Sequence, residues 1–347
     1  MGAFLGFFGS DNFAPVSEEV MQYLQEINKG HVLSYGADPY TALAKKLIQQ
    51  EFEEECEVFF VFNGTGANVA SLTSITSSCN SIICADTAHI QTQETGSIYA
   101  HSGCKLLLIP SQDGKIKPDQ IKFVFNREKF WKHHATEPKV VTISQSTEYG
   151  TMYSLEELKA ISAVCKELGL FLHVDGCRLY NAAVALNCPL KDLGKKSGVD
   201  VLSLGGTKNG LMCAEAVVFF NRELSLHFPY YHKQSLQLAS KMRYISAQFI
   251  PFFKDGLWKK NAKVANEMTT QLAKGLKQFP QLLFAQKVET NQIFLRLPKQ
   301  EIITELRKKF LFHIWNDLSQ EIRLITAFDT KIKEVEAFVE EMGKCLD

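Results

Sequence analysis

Residues 139–175 read KVVTISQSTEYGTMYSLEELKAISAVCKELGLFLHVD. The stretch opens and closes with short, largely apolar runs, KVVTIS (139–144) and LFLHVD (170–175), each of strand length. Between them, Leu155, Leu158, Ile161, Val164, Cys165 and Leu168 recur at helical spacing and make one apolar face. Ser154 and Glu157 stand as a capping box, and Gly169 stands where such a helix ends. Strand, amphipathic helix and strand in this order predict a parallel pair, and apolar strands imply a sheet covered on both faces.

The same alternation extends outward. EVFFVF (57–62), SIICAD (81–86), KLLLIP (105–110) and VDVLSLGG (199–206) are further strand-sized runs up to about residue 220. From about 235 longer amphipathic helices take over, DGLWKKNAKVANEMTTQLAKGLKQF (255–279) being the clearest. QIFLRL (292–297) and EIRLIT (321–326) then read as short strands before a last helix in 329–346. The pattern predicts an α/β fold: a large domain with a mostly parallel sheet over 1–248, with the N-terminal segment, and a smaller α+β domain over 249–347. In such sheets ligands bind beyond the carboxyl ends of strands.

Composition narrows the function classes. Of 347 residues, 46% are hydrophobic and 22% charged, which excludes a disordered chain, a collagen-like repeat and a coiled coil. Lys plus Arg and Asp plus Glu both number 38, so no basic excess favours nucleic acid as a partner. The nine cysteines are scattered and odd in number, with no C-x-x-C, so a disulfide framework is not expected. The opening MGAFLGFFGSDN lacks a basic n-region, and Gly6 stands where N-myristoylation prefers Ser or Thr. No apolar run approaches the roughly 18 residues of a membrane helix. The expectation is a soluble, cytoplasmic protein without a membrane partner.

Three segments carry chemistry. In FNGTGANVA (62–70) a strand runs into Gly64, Thr65 and Gly66 and then a helix, whose N–H groups and positive dipole end form an anion site. A plain strand-to-helix turn would look the same. In LHVDGCRLYNA (172–182), Asp175 and Arg178 fall at the ligand edge of an apolar strand. An acid there is either a turn cap or a carboxylate facing a cationic ring nitrogen, and the arginine fork suits a carboxylate. In SLGGTKNG (203–210), Lys208 follows a buried strand among small residues. Most lysines are solvated surface charges, but one placed so can be an amine nucleophile.

Taken together, a phosphate loop, an Asp-x-x-Arg and a lysine 33 residues after the Asp describe a pyridoxal 5'-phosphate site. The lysine forms the Schiff base, the aspartate keeps the pyridine nitrogen protonated, and the glycine loop holds the phosphate. His89, in CADTAHIQTQETG (84–96), offers a flat ring beyond the next strand, although a lone histidine is more often structural.

The chain resembles the low-specificity L-threonine aldolases, of the aspartate-aminotransferase-like fold (fold type I) of pyridoxal phosphate enzymes. SDNFAP, SYGADPYT, VFNGTGAN, LHVDGCRLYNA, GGTKNG and IRLIT occur in that family's order and spacing, from Ser10 almost to the carboxyl terminus. The resemblance implies retro-aldol cleavage of L-threonine, L-allo-threonine and related β-hydroxy-α-amino acids to glycine and an aldehyde, hence threonine catabolism and glycine formation. It implies Lys208 as the Schiff-base lysine, Asp175 on the pyridine nitrogen, His89 stacked on the ring, and Gly64, Thr65 and Gly66 on the phosphate. It implies Arg178 and Arg323 on the substrate carboxylate, with Ser10 and Tyr35 beside the substrate. Tyr35 then reaches in from a neighbouring subunit and Arg243 approaches a neighbour's phosphate, in a homotetramer built from dimers sharing active sites.

Two positions depart from the family pattern. Some relatives carry a histidine in a Thr-His-Asn-Gly context, where this chain has Glu148 in QSTEYG (145–150), which leaves the base for the substrate hydroxyl open between Glu148 and His89. Asp38 lies where the family often has two acids, one of them here replaced by Ala37. A nicotinamide enzyme is the rival from another class, with Asp86 as its ribose acid, but Val69 occupies the third glycine position. That reading also leaves Lys208, Asp175 and Arg178 without roles. The intact Lys208 and Asp175 argue against a purely structural member of the fold. No H-E-x-x-H suggests a zinc enzyme. Within the fold, a β-eliminating lyase or an amino-acid racemase is the alternative.

Overall fold

Every apolar run named above as a strand lies in a sheet of the computed structural model, which describes residues 4–346. Met1–Ala3 of the opening segment lie outside the described residues. In chain order the strands are β1 (Gly6–Phe7), β2 (Glu57–Val61), β3 (Asn80–Ala85), β4 (Lys105–Ile109), β5 (Glu137–Ser144), β6 (Phe171–Gly176) and β7 (Val201–Leu204). They continue as β8 (Glu215–Phe219), β9 (Leu283–Phe284), β10 (Gln292–Arg296), β11 (Phe310–Leu311), β12 (His313–Asn316) and β13 (Glu321–Ile325).

Seven strands form the main sheet in the order β2-β8-β7-β6-β5-β3-β4. The pairs from β7 through β4 are parallel, whereas β8 is antiparallel to both β7 and β2. Two reversals cancel, so β2 points the same way as β3–β7. The carboxyl end that feeds Gly64 therefore lies on the same edge as those of β3, β5, β6 and β7. The insertion of β8 is invisible to periodicity, because a buried antiparallel strand is as apolar as its parallel neighbours.

Between β5 and β6 the chain forms the helix Leu155–Leu168, as the capping pattern predicts. Ser154 Oγ accepts the Glu157 N–H at 3.2 Å, Glu157 Oε2 accepts the Ser154 N–H at 2.7 Å, and Gly169 ends the helix at φ 71°. Leu158, Ile161, Val164 and Cys165 are buried against the sheet. Each such side chain contributes roughly 1.5–3 kcal/mol by leaving water.

A second, four-stranded antiparallel sheet, β12-β13-β10-β9, carries its own apolar core with the last helix, Ile332–Leu346. The amino-terminal segment joins this core: β1 pairs with β11, and the Phe8 ring packs 5.2 Å from that of Phe338. Phe8 anchors the chain there, and the two residues that follow Gly9, Ser10 and Asp11, are delivered to the edge of the main sheet.

Candidate active site

The register of the main sheet sets the floor of the site. Ser144, Asp175 and Ser203 occupy adjacent rungs of β5, β6 and β7, and Thr142 and His173 lie one side-chain pair deeper on the same face. The helix Gly64–Ser74 covers that face, with positions 68 and 71 meeting positions 175 and 173. Asn68 Nδ2 donates to Asp175 Oδ2 at 2.8 Å, and the Cys177 N–H donates to Oδ1 at 3.0 Å. Burial pushes the Asp175 carboxyl up, but the neighbouring His89, the Asn68 bond and the charge of Lys208 outweigh it and hold it below the usual range. Asp175 is thus a buried, hydrogen-bonded carboxylate.

His89 begins a short helix just after β3. Its Nδ1 lies 2.7 Å from Glu94 Oε1, which puts a proton on Nδ1 and leaves Nε2 free. Asn68 Nδ2 also donates to Glu94 Oε1, at 2.9 Å. A continuous chain of polar contacts, His89–Glu94–Asn68–Asp175, therefore runs under the site. Glu94 and Asn68 escaped the sequence reading. Their signal is spacing alone: Glu94 five residues after His89, and Asn68 one helical turn past Gly64.

Glu148 lies beyond β5, next to His89. Its Oε1 accepts the Ser144 hydroxyl at 2.6 Å and the His89 N–H at 3.0 Å, and no hydrogen bond engages Oε2 among the described residues. Burial raises its pKa, opposed by these hydrogen bonds and reinforced by the nearby charge of Asp175. Lys208 sits in the turn after β7, close enough to Asp175 and Asp11 for their charges to interact, yet makes no ion pair or hydrogen bond among the described residues.

Of the two arginines, one is held by an acid. Arg178 donates from Nε to Asp11 Oδ2 at 2.7 Å and from Nη2 to Oδ1 at 2.9 Å. Arg323 on β13 lies over the Trp315 ring at 5.0 Å, and its Nη2 approaches the Gly9 carbonyl at 3.4 Å. Its buried Nε has no partner among the described residues. Burial and the neighbouring Arg178 lower its pKa to about 10, opposed by Asp11. Asp11 is thus ion-paired with Arg178 alone, and Arg323 has no carboxylate partner among the described residues. Asp11 gives no local signal in sequence, because its partner Arg178 lies 167 residues away. Ser10 caps Asp11–Phe13, accepting the Asn12 N–H at 3.2 Å.

At the glycine loop, Asn63 caps the helix through Oδ1, which accepts the Gly66 N–H at 2.6 Å. The N–H groups of Gly64 and Thr65 have no intramolecular acceptor among the described residues. A Cβ on Gly66 would lie 2.3 Å from Gln237, so this glycine is demanded by the buried Gln237 side chain. Gln237 Oε1 in turn accepts the Phe62 N–H at 3.2 Å.

Tyr35 and Arg243 make no polar or ring contact with a member of this cluster among the described residues. Tyr35 is half exposed with φ 58°, tied by its N–H to the Ser240 carbonyl at 3.0 Å. Arg243 donates to the Tyr244 hydroxyl at 2.9 Å and toward the Lys29 and Gly30 carbonyls. Asp38 caps the helix Pro39–Phe52 through Thr41, and Asp86 accepts the Ser111 N–H. Neither acid has a role in the cluster.

These groups fit pyridoxal 5'-phosphate. Free N–H groups at a helix start suit its phosphate, a buried carboxylate suits its ring nitrogen, and an unpartnered lysine suits its aldehyde.

Comparison with known proteins agrees. A family model described as beta-eliminating lyase matches residues 8–300. The chain is 41% identical over 330 residues to the low specificity L-threonine aldolase of Pseudomonas aeruginosa, covering 94% of each. It is also 41% identical to that of a Pseudomonas strain, over 97% of this chain and 95% of the relative. A solved threonine aldolase from Leishmania major superposes with a TM-score of 0.92 at 30% identity, over 98% of this chain and 99% of that one. A Sphingomonas wittichii serine palmitoyltransferase, at 14% identity and a TM-score of 0.72, shares the fold. With the sheet, the lysine turn and the arginine pair on one edge, these likenesses place the chain in the beta-eliminating lyase family, among the low-specificity L-threonine aldolases of the aspartate-aminotransferase-like, pyridoxal phosphate-dependent fold.

Proposed function

We propose that the protein cleaves L-threonine, L-allo-threonine and related β-hydroxy-α-amino acids to glycine and an aldehyde. The observation that carries this reading is the convergence of Lys208, Asp175 and the Arg178–Arg323 pair at one sheet edge. When bound, pyridoxal 5'-phosphate supplies an electron sink conjugated with the amino-acid Cα. Lys208 would anchor it, the free N–H groups of Gly64 and Thr65, next to Gly66, would hold its phosphate, and His89 would cover its ring. Asp175 would supply a negative charge for the ring nitrogen.

Arg323, with the nitrogen of Arg178 not engaged by Asp11, holds the substrate carboxylate beside Ser10. That grip orients the Cα–Cβ bond for cleavage. Glu148, anchored through Oε1, receives the β-hydroxyl proton on Oε2. Its raised pKa brings its basicity closer to that of a general base working near neutrality. The alternatives within the fold, β-elimination and racemisation, need no such base at the hydroxyl.

The finer setting is part of the same proposal. Exposed Leu33, Tyr35 and Leu236 support burial against a second copy, in dimers that share active sites and pair into a homotetramer. There Tyr35 reaches the neighbour's substrate and Arg243 its phosphate. Nine unpaired cysteines support a reducing, cytoplasmic setting, and no helix among the described residues is long and apolar enough to cross a membrane. The division into domains after residue 248 belongs to this proposal as well.

The test is reconstitution with pyridoxal 5'-phosphate, borohydride reduction and peptide mapping, followed by an assay for glycine and acetaldehyde from threonine. Label on Lys208 with stoichiometric products is expected. Label on another lysine, or a loaded protein that releases no aldehyde, overturns the proposal.

A further inference from the structure

Glu215 opens β8, and because β8 runs against its neighbours, its first residue lies on the edge where the parallel strands end. The residue is buried between Ala214 and Ala216, which are both fully buried. A buried carboxyl in that setting is costly unless it has partners. Its partners belong to the lysine turn. Glu215 Oε2 accepts the Gly206 N–H at 2.6 Å, and Thr207, the next residue of the turn, lies close enough to the same carboxyl to favour its charged form. Thr207 Oγ1 closes the loop by accepting the Ala214 N–H at 3.2 Å.

The backbone of the turn has no slack on either side. A Cβ on Gly206 would lie 2.3 Å from the Ala214 carbonyl, and one on Gly205 would lie 2.6 Å from the Cys177 carbonyl. Lys208 projects from this clamped turn. The ionisable groups facing the carboxyl are Lys208 from the turn, Cys177 from the end of β6, Tyr180 from the helix Leu179–Ala185, and Cys213 from the approach to β8.

We infer that Glu215 is a positioning residue for Lys208: its carboxyl holds the Gly206–Thr207 backbone so that the lysine amine is presented to the cofactor. This rests on the assignment of Lys208 proposed above. Burial pushes the Glu215 carboxyl up to about 7, against the pull of Thr207, Gly206 and Lys208. Its protonation therefore changes across neutral pH. The carboxylate offers both oxygens as acceptors, whereas the acid form carries a proton on one of them and grips the turn less firmly.

The experiment compares reconstituted wild type, Glu215→Gln and Glu215→Leu, with Lys208→Ala as control. Two readouts do not depend on turnover: the pH titration of the visible band of bound cofactor, and cofactor retention on dialysis. Glu215→Gln keeps an acceptor for the Gly206 N–H but cannot titrate. It should hold cofactor near the wild-type level and lose the component of the pH profile near neutrality. Glu215→Leu should hold cofactor weaker by on the order of 10- to 100-fold, the loss of hydrogen bonds to a charged group. An unchanged pH profile in Glu215→Gln overturns the inference, even if Glu215→Leu does not fold. So does wild-type retention in Glu215→Leu. A visible band and borohydride labelling in Lys208→Ala would instead defeat the assignment of Lys208 itself.

Discussion

Asp11 and Arg178 form a two-point ion pair, at 2.7 and 2.9 Å, between residues 167 positions apart in sequence. The amino-terminal segment and the end of β6 are thereby locked together inside the site. Burial raises the Asp11 carboxyl, but the charges of Arg178 and Lys208 and the hydrogen bonds from Arg178 and Asn291 outweigh it, so its pKa is lowered.

Removing Asp11 leaves a buried guanidinium without its partner. Asp11→Ala should destabilise the protein by about 3–5 kcal/mol in urea unfolding. The double variant with Arg178→Met should cost less than the sum of the two single changes. A fully additive cycle would show that the two groups do not depend on each other. Because the Asp11 pKa is depressed, its stabilisation is present above the unfolded value of 3.8 and is lost as pH falls through the folded value.

Asp175→Asn keeps the size of the side chain and its place beside Asn68 while removing the charge. Turnover of threonine should fall by roughly 10²- to 10³-fold, the loss expected for one preorganised electrostatic group. Near-normal turnover would mean that Asp175 serves only as a cap for the Cys177 N–H.

Glu148→Gln removes basicity and preserves shape. Threonine cleavage should slow by roughly 10²- to 10⁴-fold, the worth of a positioned base, while glycine still perturbs the visible band of the loaded enzyme. If Glu148→Gln cleaves at the native rate and His89→Asn does not, the two roles are exchanged.

Acid should weaken the fold through two buried imidazoles. Burial lowers the pKa values of His173 and His232 from 6.5 to about 4 each. His173 is enclosed by Thr142 at 2.7 Å and Ser203 at 3.0 Å, and His232 Nε2 lies 2.8 Å from the Phe60 carbonyl. Between those values the unfolded chain binds protons that the folded chain does not, so stability falls as pH drops from about 6.5 to 4. Each histidine accounts for roughly 3 kcal/mol across that window. Urea midpoints of wild type and His232→Asn, measured from pH 7 to 4, should diverge near neutrality and converge toward pH 4. Parallel curves would refute the assignment.

Local periodicity was enough to read eight of the strands, the capped helix Leu155–Leu168 and the placement of Asp175 and Lys208 at strand ends. Burial on a repeating face leaves its mark on consecutive residues, and a turn after an apolar strand is visible from its glycines. The tertiary structure alone decided the rest. It inserted β8 so that Gly64 reaches the same edge as Lys208, set Asp11 against Arg178, and ran His89 through Glu94 and Asn68 to Asp175. It also gave Gly66 to Gln237, 171 residues further on. Polar partnerships between distant segments depend on where the backbone carries each group. A lone Asp, Asn or Gln satisfied by a remote partner looks, in sequence, like any residue satisfied by water.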